Sequence, residues 1–273
     1  MGEFTITMTT DFFFDKIQEE VKLFEPITLA EMEGVKLMDR MDVKYLIPVN
    51  LLPNILADAK QHYKLLEIDN QRICPYQTLY YDTEDLRLYH QHQVGKQNRY
   101  KVRSRNYVGS NLQFFEVKFK NNHGRTIKKR IKTNGINEPY LHDESSAFLS
   151  KISPLEPENL QGVMWVNYSR LTLVSKQSPE RLTIDLELTF KNDSKEVQYA
   201  QIAIAEIKQE KVGASPILDI LKKYQLKSGS ISKYCFGIIS LFEGVKQNNF
   251  KKHLKRISKT LHQYESFTAN AIA

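Results

Sequence analysis

The sequence predicts an α+β protein built on an antiparallel β-barrel, a tunnel with helices packed on its outside. Three observations lead there. Several short segments alternate charged and apolar residues with period two, the spacing of a strand with one wet and one dry face. Their charged faces are dominated by Arg and Lys side by side, where an ordinary solvated sheet intersperses signs because like charges repel across a ladder. Apolar residues at helical spacing flank these segments.

Taken in order, a helix is expected over residues 11–24, with Phe13, Phe14, Ile17, Val21 and Phe24 on one side. The segment DRMDVKYLI sets Arg40, Asp42 and Lys44 against Met41, Val43 and Tyr45. A second helix follows Asn50 through Leu52, Ile55, Leu56, Ala59 and Tyr63. In NRYKVRSRNY, Arg99, Lys101, Arg103 and Arg105 oppose Tyr100 and Val102; in FFEVKFK, Glu116, Lys118 and Lys120 oppose Phe115, Val117 and Phe119. A third helix is expected at Asp143, with the aspartate as its cap. RLTIDLELTF places Arg181, Thr183, Asp185 and Glu187 opposite Leu182, Ile184, Leu186 and Leu188. Further helices are expected near residues 217–224, 232–242 and 249–264. An interior lined by cations is unfavourable when dry and unpaired, and a bound polyanion would supply the missing partners.

Composition agrees with a globular chain: 273 residues, 41% hydrophobic and 11% aromatic, enough for a buried core. The net charge of +7 favours an anionic partner without naming it. Cys74 and Cys235 are the only cysteines and stand in no CxxC or Cys/His pattern, which argues against a disulfide scaffold or zinc site and fits a reducing cytoplasm. No apolar run is long enough to span a bilayer, and the N-terminus lacks the pattern of a secretory signal. Glycine-rich nucleotide loops and a nucleophile elbow are absent. His90 and His92 fall in an expected loop, YHQHQVG, and read as surface histidines, as does His123.

A series of segments, RMDVKYLIP, TLYYDTEDLRLY, RYKVRSRNY, FFEVKFK, TIKKRI, VNYSRLTL, ERLTIDLELTF, AEIKQE and SISKYCFG, resembles in order the catalytic domain of the vacuolar transporter chaperone (VTC) complex. That domain is a triphosphate tunnel metalloenzyme, of the superfamily that includes the CYTH proteins. The resemblance runs from about residue 40 to 241 and implies a polyphosphate polymerase using ATP. It implies that Lys44, Arg103, Arg105, Lys118, Arg170, Arg181 and Lys233 carry the transfer, and that Arg40, Lys101, Lys128, Arg130 and Lys208 help to hold phosphate. Glu206, with Glu116, would hold a divalent metal, manganese or magnesium. The first tunnel strand reads Arg40-Met41-Asp42-Val43-Lys44 where the wider superfamily has ExExK, which leaves a metal role for Asp42 unsupported. Arginine forks suit rows of phosphate oxygens, and a carboxylate among so many bases makes sense if a hard cation bridges it to phosphate. A plain ion pair from Glu206 to Lys208 or to a nearby arginine is the competing account.

The implied organisation is an N-terminal helical extension (1–35), a tunnel domain (36–245) and a basic amphipathic C-terminal helix (246–273). The stretch ahead of Arg40 is too short for the inositol-phosphate-sensing domain that eukaryotic family members carry, so a stand-alone catalytic domain is expected. In the last helix Phe250, Leu254, Ile257 and Leu261 form a stripe amid Lys251, Lys252, Lys255, Arg256 and Lys259. Such a helix either packs on the barrel with a solvated basic face, or docks on an anionic membrane or a membrane-protein partner. A cytoplasmic protein, with peripheral membrane attachment left open, is the expectation. Alternatives to the polymerase are a triphosphatase on the same fold, a non-catalytic polyphosphate binder and, last, a nucleic-acid binder, disfavoured because the aromatics fall mostly on apolar strand faces.

Overall fold

The alternating segments become strands of one large sheet. The computed structural model describes residues 2–33, 41–110, 112–136, 138–210 and 215–272; Arg40 lies outside them. The strands are β1 (Pro26–Ile27), β2 (Met41–Pro48), β3 (Tyr63–Leu66), β4 (Cys74–Asp82), β5 (Arg99–Tyr107), β6 (Leu112–Lys120), β7 (Thr126–Thr133), β8 (Gln161–Ser175), β9 (Glu180–Lys191), β10 (Glu196–Tyr199) and β11 (Ile202–Gln209). The helices are α1 (Gly2–Lys22), α2 (Leu29–Glu33), α3 (Leu52–Ala59), α4 (Arg87–Gln93), α5 (Asp143–Ile152), α6 (Pro216–Lys223), α7 (Lys233–Leu241) and α8 (Lys251–Ile272).

The main path of the sheet runs β2-β11-β9-β8-β4-β5-β6-β7, antiparallel throughout. It curves strongly. Laid flat, β2 and β6 would lie six strand spacings apart, about 29 Å. Yet Lys44 of β2 and Glu206 of β11 both act electrostatically on Lys118 of β6. The barrel expected from the sequence is therefore realised as a curled sheet, and among the described residues no ladder joins β2 to β7. Instead the loop before α7 lies along the free edge of β2, where Gly229 N–H donates to the Lys44 carbonyl at 2.8 Å and Tyr45 bridges Ser228.

Apolar residues of the strands divide between two faces. On the convex face Tyr45, Ile47, Leu182, Ile184, Ala205 and Ile207 pack under α1, α3 and α6. Farther round, Leu79, Tyr81, Val102, Phe115 and Val117 meet α5. α3 shows why such helices form: proline in its first turn fits φ without losing a hydrogen bond, and Leu52, Ile55, Leu56 and Ala59 make one fully buried stripe.

The concave face is charged along its middle and apolar at one end. There Leu46, Met164, Val166, Leu188, Phe190 and Ile204 receive Phe236 and Ile238 of α7. This helix thus lies inside the curve, while α1, α3, α5 and α6 follow the expected outer placement. A bulge makes the seat possible. Glu187 has φ of 52°, and the β8–β9 register shifts beside it. The extra residue reverses the alternation, so Leu186 packs outward while Leu188 and Phe190 join Asp185 on the concave side.

Three local expectations need correction. Asp143 is the first residue of α5 with φ of 49°, and no side chain caps that helix. Tyr63 belongs to β3, not to the helix after Asn50. His90 and His92 lie on α4; the His92 ring sits between the Tyr100 carbonyl, which accepts from Nε2, and the Arg99 guanidinium, which donates to Nδ1. Loss of solvent, then Lys101, lower its pKa to about 3, so the ring is neutral.

α8 packs through Ile257, Thr260 and Tyr264, leaving Lys251, Lys252, Lys255 and Lys259 exposed. No helix among the described residues is long and apolar enough to cross a membrane.

Candidate functional site

Strand alternation sends Lys44, Lys101, Arg103, Arg105, Glu116, Lys118, Lys128, Arg130, Arg170, Asp185, Glu206 and Lys208 to the concave face. Lys233 reaches the same face from the first turn of α7. Three carboxylates organise the cations, each clasped by two bases from different elements.

Glu206 accepts from Lys44 Nζ through one oxygen and from Lys208 Nζ, at 3.0 Å, through the other. Glu116, only 1% exposed, accepts from Arg103 Nε at 2.6 Å and pairs with Lys128 Nζ at 2.5 Å. Asp185, 2% exposed, takes Arg170 bidentately at 2.5 and 2.9 Å and also accepts from Lys233 Nζ. Burial works to raise the pKa of all three acids, but in each case the clasping cations, joined at Glu116 by Arg105, outweigh it and hold the group well below the carboxylate range. The acids are ionised.

Other cations lack such partners. Lys101, Arg105, Lys118 and Arg130 have no carboxylate within ion-pair distance among the described residues. Lys101 donates to Ser232 Oγ at 2.7 Å, and Arg105 lies 5.7 Å from the Tyr76 ring. Arg130, on the exposed strand β7, stacks 4.4 Å over Phe114. Loss of solvent, then Lys101, Arg103 and Lys44, push Lys118 below the ordinary lysine value. Lys128 falls to about 7, through desolvation and then Arg103, with Glu116 acting in the opposite direction. The face holds more positive charge than its own acids neutralise.

Arg181 shares the alternation and stands opposite Lys208, but one of its amino groups donates to the Met32 carbonyl at 3.3 Å. Its guanidinium therefore turns toward α2.

Neither Asp185 nor the tyrosines beside it stand out in the sequence as site residues. Asp185 was visible as the third residue of the charged face of RLTIDLELTF, but nothing local says that it joins Arg170 to Lys233. Tyr76 and Tyr168 stack at 5.3 Å, and the Arg170 guanidinium lies 5.0 and 5.1 Å from their rings. Tyr80 accepts from Arg103 at 3.1 Å and stacks on Tyr234 at 5.1 Å. These aromatics do share the charged face, contrary to the pattern read from the neighbouring strands, but they are buried under guanidinium groups and α7. They are not open platforms for bases.

Among the described residues no three His, Cys, Asp or Glu side chains cluster to cage a metal. Magnesium-like ions take one or two carboxylates, keep several waters and fill the rest of their shell with phosphate oxygens. The donor chemistry fits that mode at Glu206, whose side chain is 21% exposed, better than at Glu116, enclosed by Arg103 and Lys128.

Residues 39–242 match the VTC domain family. No curated protein matches the chain. Among solved structures, a candidate adenylate cyclase from Bacillus halodurans is 14% identical, with TM-score 0.45, over 75% of this chain and 98% of its own. A candidate adenylyl cyclase from Hippeastrum, described as having a dominant triphosphatase activity, is 11% identical, with TM-score 0.47, over 76% and 98%. Both scores lie below 0.5.

Proposed function

The chain belongs to the VTC domain family, and we propose that it is a polyphosphate polymerase, transferring the γ-phosphate of ATP to a growing inorganic chain. The observation that carries this reading is the unbalanced concave face. Cations from six strands and one helix converge there, and three internal carboxylates neutralise only part of their charge.

Phosphoryl transfer asks a protein chiefly for positioning and for neutralisation of charge. A row of phosphates along the face meets bidentate forks from Arg103, Arg105 and Arg170, and point charges from Lys44, Lys118, Lys208 and Lys233. Lys233 has the added advantage of the α7 N-terminus, where helix amides favour anions. An oxygen of the chain's terminal phosphate forms a bond to the γ-phosphorus. The bond from that phosphorus to the β–γ bridging oxygen breaks, ADP leaves, and the chain is one unit longer. No side chain becomes phosphorylated. A divalent metal, manganese or magnesium, held by Glu206 and phosphate oxygens would add Lewis-acid neutralisation of the transferring group.

Incubation with ATP and manganese, followed by gel electrophoresis and ADP assay, tests the proposal. A polymer ladder with matching ADP is expected. Free phosphate without polymer would identify a triphosphatase instead, and neither product would leave a binding module.

A further inference from the structure

Thr183 lies on β9 two residues from Arg181 and two from Asp185, so its side chain leaves the concave side of the strand. Across the ladders it faces Glu206 on β11 and Thr172 on β8. It therefore sits between two of the clasps, one centred on Glu206 and the other on Asp185. The residue is 3% exposed, and its hydroxyl has no hydrogen-bond partner.

A buried hydroxyl without a partner is unfavourable, because its lost bonds to water are not replaced. Valine has nearly the same shape and an equal preference for strands, so shape and strand propensity do not account for the hydroxyl. Its surroundings are rich in donors: Lys44 and Lys208 point at one neighbouring carboxylate, Arg170 and Lys233 at the other. An oxyanion entering between those cations would bring acceptor oxygens to the place where Thr183 has a proton to give.

We propose that Thr183 is a phosphate-binding residue, donating its hydroxyl proton to a non-bridging oxygen of a phosphate chain lying between the Glu206 and Asp185 clasps. This rests on the reading of the concave face as a polyphosphate site.

The test compares wild type with Thr183→Val, Thr183→Ala and Thr183→Ser by thermal unfolding and by calorimetric titration with inorganic tripolyphosphate. Thr183→Val should unfold at the wild-type temperature or higher, since it removes an unsatisfied group, yet bind tripolyphosphate about tenfold more weakly, as for loss of one bond to a charged acceptor. Thr183→Ser should keep most of the affinity. Thr183→Ala provides the same comparison should the valine variant not fold. Wild-type affinity in the variants lacking the hydroxyl overturns the assignment of Thr183 while leaving the site intact. Failure of wild type itself to bind tripolyphosphate overturns the reading of the whole face, and this assignment with it.

Discussion

Lys233, the first residue of α7, donates to the carboxylate of Asp185 on β9, and the same carboxylate holds Arg170 of β8 bidentately. One buried acid thereby fixes two cations arriving from separate elements. The arrangement recurs at Glu116 and Glu206, which suggests how a face so rich in bases folds before any anionic ligand is present. The carboxylates act as internal counter-ions, and together they leave an excess of positive charge for the ligand.

Asp185→Asn should expose what the clasp contributes. Removing one member of a buried ion pair strands its partners and typically costs about 3–5 kcal/mol; here Arg170 and Lys233 are left. The empty variant should unfold at a markedly lower temperature, and tripolyphosphate should raise that temperature more than it does for wild type. Thermal unfolding with and without the ligand checks both, and an unchanged midpoint in the empty variant counts against the counter-ion role.

Lys118→Ala should behave in the opposite way. Lys118 has no ion-pair partner among the described residues and is surrounded by Lys101, Arg103 and Lys44. Its removal relieves repulsion, so stability should hold or rise while tripolyphosphate binding weakens severalfold. A matched loss of stability would mean that the lysine serves the fold.

The pH dependence of binding follows from Lys128. Its pKa is about 7 in the folded protein against 10.5 for an ordinary lysine. Between those values the folded state binds fewer protons than the unfolded one, so the group's unfavourable contribution to stability grows as pH falls across the window and is complete below about 7. Solvent moderates this, since 39% of the side chain is exposed. For the ligand, the charge that grips phosphate is present below about 7 and fades above it. Wild-type affinity for tripolyphosphate should decline from about pH 7 to 9, and Lys128→Arg, always charged, should flatten the decline. Parallel profiles for the two proteins would remove Lys128 from the grip.

Gly237→Ala tests the seat of α7. A Cβ there would stand 2.2 Å from Met164 Sδ and 2.7 Å from Phe190 Cδ1. Overpacking of this kind costs about 1–3 kcal/mol. The helix should shift outward and carry Lys233 with it, so polymer synthesis should fall together with stability. Synthesis at the wild-type rate would show that the position of α7 does not govern the site.

The strand segments were legible because alternation is a local property: each of RYKVRSRNY, FFEVKFK and RLTIDLELTF states its own two faces. Most of the cations that share the concave face were legible for the same reason, since strand geometry alone puts Arg103 beside Arg105 and Lys118 beside Glu116. Two features are not legible in local sequence. Glu187 adds a residue to β9 and reverses the faces beyond it, and His92 sits on a short helix whose surroundings, not its own sequence, decide that its ring is enclosed.

By itself the chain's sequence determined the main charged strands and which of their faces are basic, because period and charge act between residues close in sequence. Tertiary structure alone decided that the basic faces converge, that α7 lies within the curve, and that Glu116, Asp185 and Glu206 each join two distant cations. Those outcomes depend on sheet curvature and on contacts between residues as far apart in sequence as Lys44 and Glu206, whose pairing energy exists only once β2 and β11 have come together.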